Sequence, residues 1–128
     1  MELTVGGGAT AQAILVAWDF SEATEVPADV ADQLAIVVEE WVANIVEHGE
    51  APQDGVIRLQ LERGPAAIRI EASDPGVPFD PRDVSFDGPD LERGGGVGLA
   101  LLKAWTTVDR YRYRDGRNEV VLMLPCTG

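Results

Sequence analysis

The sequence predicts an α+β fold, a two-layer α/β sandwich in which about three helices cover one face of a mostly antiparallel mixed sheet. Three observations support this prediction. Two helical segments follow one another near the N-terminus, and the later strands alternate apolar with polar residues. Short turns join neighbouring strands, as is typical of antiparallel pairing. Helices grouped with such a sheet pack as two layers, and a chain of 128 residues is expected to form a single domain over residues 1–128.

The first half of the chain predicts one short strand and two helices. Met1–Val5 is the strand, and a three-glycine turn follows it. A helical period then runs from Ala9 to about Glu22. The second helix is predicted over Ala28–His48, with Pro27 at its first turn, where a missing N–H does no harm. Gly49 directly follows as a C-terminal cap.

The second half predicts two hairpins separated by a loop and a helix. Val56–Arg63 and Ile68–Ser73 alternate apolar with polar residues around a Gly-Pro turn, which indicates two half-buried strands. Val97–Thr107 resumes a helical period. Val108–Arg114 and Glu119–Leu124 are two further strands joined by an Asp-Gly turn.

The segment between the first hairpin and the third helix, residues 75–96, shows neither a helical nor a strand period. Prolines, glycines and acidic residues dominate it. It is much longer than an ordinary connection, and loops of this length are usually functional lids or disordered segments.

Charge and composition exclude several classes of protein. The chain has 22 acidic and 10 basic residues, for a net charge of −12, and residues 1–57 contain no Lys or Arg. A nucleic-acid surface and an electrostatic membrane surface are therefore not expected. No apolar run approaches the ~20 residues of a membrane span, and the N-terminus has no positive region typical of a secretory signal. The single cysteine, Cys126, favours a cytoplasmic location.

Aromatic and basic residues outside the motifs have simpler interpretations. The three tryptophans fall in apolar helical patterns and are predicted to lie in the core: Trp18, Trp41 and Trp105. Three arginines share one face of a predicted strand: Arg110, Arg112 and Arg114. They either form a solvated face that pairs with acidic residues of the same chain or dock an acidic partner.

Polar residues interrupt the apolar face of the second helix every fourth position. At about 100° per residue, Asn44 and His48 lie on the apolar arc, and Glu40 borders it. A buried amide or carboxylate needs partners. Either Asn44 caps a neighbouring loop and His48 is a satisfied helix-end residue, or all three residues line a cleft. In a cleft, a carboxylate could accept a proton and an amide oxygen could bind Mg²⁺.

Two glycine motifs follow. Asp74-Pro75-Gly76 closes a strand, where the carboxylate either forms an Asx-turn or accepts a hydrogen bond from a ligand amine. Gly94-x-Gly96-x-Gly98 leads into the third helix, where it is either a hinge or an anion site made of backbone N–H groups. It is not the dinucleotide fingerprint, because no strand precedes it.

The order and spacing of these motifs resemble the GHKL ATPase superfamily, and most closely its anti-sigma-factor serine/threonine protein kinases. Residues 38–49 resemble the N box of that family, and residues 74–81 resemble its first glycine box. Residues 92–103 resemble the second glycine box, and residues 111–118 the closing hairpin. Histidine kinases commonly carry Lys three residues after the N-box Asn, where this chain has Glu47, as the anti-sigma kinases do. The resemblance implies a Bergerat-type fold.

The resemblance also implies roles for the matching residues. Glu40 would be the catalytic base that activates a substrate hydroxyl, and Asn44 would hold Mg²⁺ against the triphosphate of ATP. Asp74 would read the adenine amino group, and Gly76 would keep the base slot open. His48 would flank the nucleotide.

The second glycine box is implied to form a nucleotide lid over about residues 75–96, in which glycines cradle the phosphates: Gly94, Gly96 and Gly98. Two positions depart from the family pattern. The family often has Arg where this chain has Gly95. It also tends to place Thr on the last strand near the adenine, whereas residues 118–120 contain none.

The function implied by the resemblance is an ATP-dependent protein serine/threonine kinase. Its substrate would be a STAS-domain anti-sigma-factor antagonist, and its second partner a sigma factor held inactive by a homodimer of the kinase. Direct contact with nucleic acid or membrane is not expected. The alternative is a nucleotide-gated partner-binding module without kinase activity, because a general base alone does not prove turnover.

Overall fold

The computed structural model of the protein describes residues 1–83 and 96–127. Its elements follow in chain order: β1 (Glu2–Thr4), α1 (Ala9–Ala23), α2 (Ala28–His48), β2 (Val56–Arg63), β3 (Ala67–Asp74), a 3₁₀ helix (Pro81–Asp83), α3 (Gly96–Trp105), β4 (Thr107–Arg114) and β5 (Arg117–Pro125). Every predicted helix and strand is present, with ends shifted by no more than two residues. The 3₁₀ helix was not predicted and lies inside the segment interpreted as a lid.

The five strands form one sheet in the order β1-β2-β3-β5-β4. All four pairings are antiparallel, so the predicted mostly antiparallel sheet is confirmed, and the pairings of the described strands include no parallel one. The sheet departs from sequence order only where β5 lies between β3 and β4. This arrangement places Asp74, at the end of β3, directly opposite Asn118 on β5.

The core lies between the helices and one face of the sheet. Helix α2 is its main contributor, because its buried residues recur every three or four positions: Ala31, Leu34, Ala35, Val37, Val38, Trp41, Val42, Asn44 and Ile45. The sheet supplies alternate residues of its three central strands, such as Ile57, Ile70 and Leu122. Burying one such side chain contributes roughly 1.5–3 kcal/mol. Asn44 is the one polar residue in the buried set of α2, and that exception marks a site.

Helix α1 packs on α2 through a face that does not include Trp18. It buries small residues spaced four apart: Ala9, Ala13, Ala17 and Ser21. The prediction that Trp18 lies in the core is wrong, since that residue is 42 % exposed. A stripe of small side chains lets two helices approach closely, and a tryptophan in the contact would hold them apart. Trp41 is buried as predicted, and Trp105 is partly buried against the core.

The arginines of β4 lie on the sheet face that points away from the helices. Arg112 donates to Glu119 of β5, and Arg114 lies 3.6 Å from the same carboxylate. The interpretation as a face that pairs within the chain therefore holds for these two residues, whereas Arg110 is exposed. Such surface pairs contribute at most about 1 kcal/mol each. Within the described ranges, no helix is both long enough and apolar enough to cross a bilayer.

Candidate functional site

Glu40, Asn44 and His48 lie along one edge of α2 and line a common cleft. Asn44 is only 7 % exposed, and the other two residues are half-buried. Together with Leu99 of α3 they line a hollow of about 20 Å³. Residues four positions apart lie on the same face of a helix, so this spacing places the three side chains next to one another at the junction of α2 and α3.

The start of α3 comes into direct contact with Glu40. A Cβ atom at Gly98 would overlap the carboxylate of Glu40, so only glycine fits there without displacing that side chain. Burial raises the pKa of Glu40, and the neighbouring charges of Glu39 and Glu47 raise it further. A carboxylate with a raised pKa is suited to accept a proton near neutral pH.

Asp74 is the buried carboxylate at the other end of the site, with 3 % of its surface exposed. Its Oδ2 accepts hydrogen bonds from the Gly76 N–H at 2.9 Å and from Asn118 Nδ2 at 3.2 Å. Burial raises the pKa of Asp74, although both hydrogen bonds and the charge of Arg117 oppose the shift. Among the described residues no hydrogen bond ends on Oδ1. That oxygen is therefore the acceptor left for a ligand N–H.

Gly76 docks the turn after Asp74 onto the end of α2. The Val77 N–H donates to the Gly49 carbonyl at 2.8 Å. A Cβ atom at Gly76 would lie 2.5 Å from that same carbonyl oxygen, so a side chain at this position would push the two segments apart. Gly49 is the C-cap of α2 as predicted, and its carbonyl holds the Asp74 turn in place.

Replacing Gly76 with Ala should therefore lower the free energy of unfolding by about 1–3 kcal/mol, because the added methyl group meets backbone that cannot move freely. Urea unfolding measures this effect. Gly7→Ala is the matched control, since a Cβ atom there would lie at an ordinary 3.4 Å from Thr4. Equal stability of the two variants would show that Gly76 does not pack against Gly49 as described.

Asn118 is the site residue that the sequence analysis missed. It is 3 % exposed, and its Nδ2 also donates to the Val77 carbonyl at 2.8 Å. Its Oδ1 accepts from the Phe79 N–H at 2.9 Å and from the hydroxyl of Tyr111. The sequence feature that could have identified Asn118 is a polar residue at an inward-facing position of β5. Its partner Asp74 could be found only once the β3–β5 register was known.

Between Asp74 and α2 lies a second hollow, called the base slot after the adenine base that the resemblance implies for it. Its lining comes from α2, the Asp74 turn and β5: Trp41, Asn44, Ile45, Gly49, Asp74, Val77, Phe79 and Asn118. Its volume is about 10 Å³, room for at most one water molecule. Asn44 lines both hollows, so the base slot and the Glu40 cleft are adjacent.

A larger hollow of about 500 Å³ lies on the opposite face of the sheet, around Arg58, Glu71 and Glu119. Its charged side chains pair with charges on neighbouring positions, as Arg58 does with Glu2 at 3.3 Å and Arg69 with Glu71 at 2.8 Å. This is the composition of a solvated sheet face. The candidate site is therefore the smaller one, where buried polar groups converge.

The residues present fit a magnesium ion held together with a ligand. The part of the chain that the structure describes contains no group of three or more His, Cys, Asp or Glu arranged to hold a metal. Mg²⁺ needs no such cage, because it usually takes one or two protein oxygens and completes its shell with phosphates and water. Asn44 can supply one of those oxygens. Gly96 is the first residue of α3, and Gly94 lies outside the described residues.

Comparisons with known proteins identify the family and the fold of the chain. The sequence of residues 7–124 matches the family model of the histidine kinase-like ATPase domain. Two nucleotide-free structures of the catalytic domain of the histidine kinase ThkA share the fold, with TM-scores of 0.55 and 0.59 and identities of 12 % and 14 %. The alignments cover 99 % and 100 % of this chain and 97 % and 98 % of those chains.

Among curated proteins, none matches the sequence. The GHKL-type fold expected from the motifs is confirmed by the family match together with the three helices on a five-stranded antiparallel sheet. The chain therefore belongs to the histidine kinase-like ATPase domain family.

Proposed function

We propose that the protein is an ATP-binding, anti-sigma-factor-type serine/threonine protein kinase that phosphorylates a STAS-domain antagonist and sequesters a sigma factor. The observation that carries the proposal is the placement of Glu40. Its carboxylate lies one helical turn before Asn44 and against the first turn of α3, where Gly98 leaves room for it. A base, a ligand for a hard cation and a helix N-terminus thus meet in one cleft.

Each residue of the site has a separate role in phosphoryl transfer. Asp74 accepts a hydrogen bond from the adenine amino group, and Asn44 supplies an oxygen to Mg²⁺. The ion, when bound, neutralises charge on the triphosphate. Glu40 takes the proton of the attacking hydroxyl as the γ-phosphoryl group transfers in line. The site needs few positively charged side chains near the phosphates, because α3 presents backbone N–H groups at its start.

A serine or threonine acceptor is favoured by the residues around the N box. Glu47 stands where histidine kinases commonly carry Lys, and the only histidine of the chain, His48, lies inside the site itself. By the resemblance, the acceptor is a STAS-domain protein, and a homodimer of the kinase holds the sigma factor in the cytoplasm. Neither a membrane nor nucleic acid is part of this proposal.

Calorimetric titration with Mg-ATP and with ADP tests nucleotide binding, and transfer of labelled phosphate to a purified STAS-domain protein of the same organism tests the kinase activity. Binding of both nucleotides together with labelling of a Ser or Thr supports the proposal. A chain that binds neither nucleotide overturns it.

Replacing Asn44 with Ala should weaken Mg-ATP binding by about 10–100-fold, because the ion loses a protein oxygen and its fixed position. The affinity for ADP measured in EDTA should change much less. Gln33→Ala removes another amide from α2 and is the matched control. The same modest loss for both ligands would show that Asn44 acts only on the fold.

The alternative is a nucleotide-gated partner-binding module without turnover. The narrow base slot is the observation that favours this alternative. A nucleotide has to rearrange the site in order to bind, and such a rearrangement can alter the affinity for a partner. This function predicts ATP-dependent partner binding without any labelled serine or threonine.

A further inference from the structure

We propose that Trp41 is a base-contacting residue of this chain. Its ring and the ring of Phe79 narrow the base slot in the free protein, and a ring nitrogen of a bound purine accepts the indole N–H of Trp41. The inference rests on the nucleotide binding proposed above and adds the contact that reads the base.

Trp41 carries a buried donor that lacks a partner. The residue is 3 % exposed and lines the base slot, and within the described ranges its Nε1 makes no hydrogen bond. A buried indole N–H is normally satisfied, so an orphaned one next to a candidate site points to a ligand. Ring nitrogens of a purine are acceptors of the matching kind.

The two rings leave no room for a base between them. Their centroids lie 5.9 Å apart at an interplanar angle of 48°. A flat base between two rings requires two van der Waals layers, about 7 Å in all. The slot itself has a volume of about 10 Å³. The slot must therefore widen before a purine can enter.

Trp41 is held in place by the core. It lies in the middle of α2 among fully buried neighbours such as Leu34 and Val38, whereas Phe79 is half-buried and lies just before the 3₁₀ helix. The indole donor therefore keeps its position on the helix when the turn that carries Phe79 adjusts to a ligand.

Deaza analogues of ATP test the hydrogen bond in a double-mutant cycle. Wild type and Trp41→Phe are titrated with ATP and with 1-, 3- and 7-deaza-ATP by calorimetry. Wild type should bind one of the analogues about 5–10-fold more weakly than ATP, the effect of one lost hydrogen bond. Trp41→Phe should bind ATP more weakly by the same factor and should no longer distinguish that analogue from ATP. The matched control is Trp105→Phe, which should retain the discrimination.

A second measurement leaves Trp41 unchanged. In the Trp18→Phe/Trp105→Phe background, Trp41 is the only indole, and saturating ATP should change its emission because its N–H gains an acceptor and a purine contacts its ring. If the effects of Trp41→Phe and of each of the three analogues are additive, or if the emission spectrum does not change, this inference is wrong. The proposal that the protein binds ATP is not affected by either result. Failure of wild type to bind ATP would instead remove the proposed function and this inference together.

Discussion

Replacing Glu40 with Gln should lower the rate of phosphoryl transfer by about 10²–10⁴-fold, the usual contribution of a general base. The amide keeps the size of the side chain and therefore its contact with the start of α3. ATP binding should not weaken, because the substitution removes a negative charge from the neighbourhood of the phosphates. The rate is measured as labelled phosphate transferred in a single turnover, and the affinity by calorimetry.

The pH profile separates a base from a residue that only shapes the site. Burial together with the charges of Glu39 and Glu47 raises the pKa of Glu40. A base must be ionised, so the rate should fall as the pH drops below this raised pKa. Glu47→Gln removes one like charge, lowers the pKa of Glu40 and should move that acid limb to lower pH without abolishing transfer. Full activity of Glu40→Gln would contradict the assignment of Glu40 as the base.

The fold was predictable because its signals are local. Helix α2 buries residues every three or four positions, and β2 and β3 alternate, so both periods can be read within a few residues. The row from Glu40 to His48 was predictable for the same reason, since four residues in a helix return to the same face. The face that α1 buries was not, because its alanine stripe and its bulky residues both satisfied the helical period.

The missing parts of the site depend on contacts distant in sequence. Asn118 meets Asp74 across 44 positions of the chain, and Phe79 meets Trp41 across a similar gap. A pattern within one strand shows that Asn118 points inward, but the partner depends on which strands are neighbours. The orphaned N–H of Trp41 becomes visible only when the whole environment of the ring is known.

Replacing Asp74 with Asn should weaken ATP binding by about 100-fold, because an amide reverses one half of the hydrogen-bonding pattern. The side-chain oxygen of Asn can still accept from the Gly76 N–H and from Asn118, as Oδ2 of Asp74 does. Its NH₂ group then occupies the position of Oδ1 and opposes the adenine amino group, donor against donor. Inosine triphosphate presents an acceptor at that position and should lose much less affinity.

The same substitution should leave the folded protein as stable as wild type, or more stable. The pKa of Asp74 is raised by burial, so the folded chain keeps this proton to higher pH than the unfolded chain does. Stability of the wild type therefore falls as the pH rises between the two pKa values and stays lower above them. Asn carries no charge to desolvate, so its advantage in urea unfolding should be present at about pH 7 and shrink towards about pH 4.

Opposite effects on stability and on binding distinguish a ligand contact from a structural one. Asp54→Asn is the matched control, because this carboxylate is exposed in the loop before β2 and should change neither property. A purely structural Asp74, one that only closes the end of β3 through its bond from the Gly76 N–H, would give a variant that keeps this bond and shows an unchanged preference between ATP and inosine triphosphate. ATP affinity within about threefold of wild type, a difference well under 1.4 kcal/mol, would show that adenine is not read by Asp74.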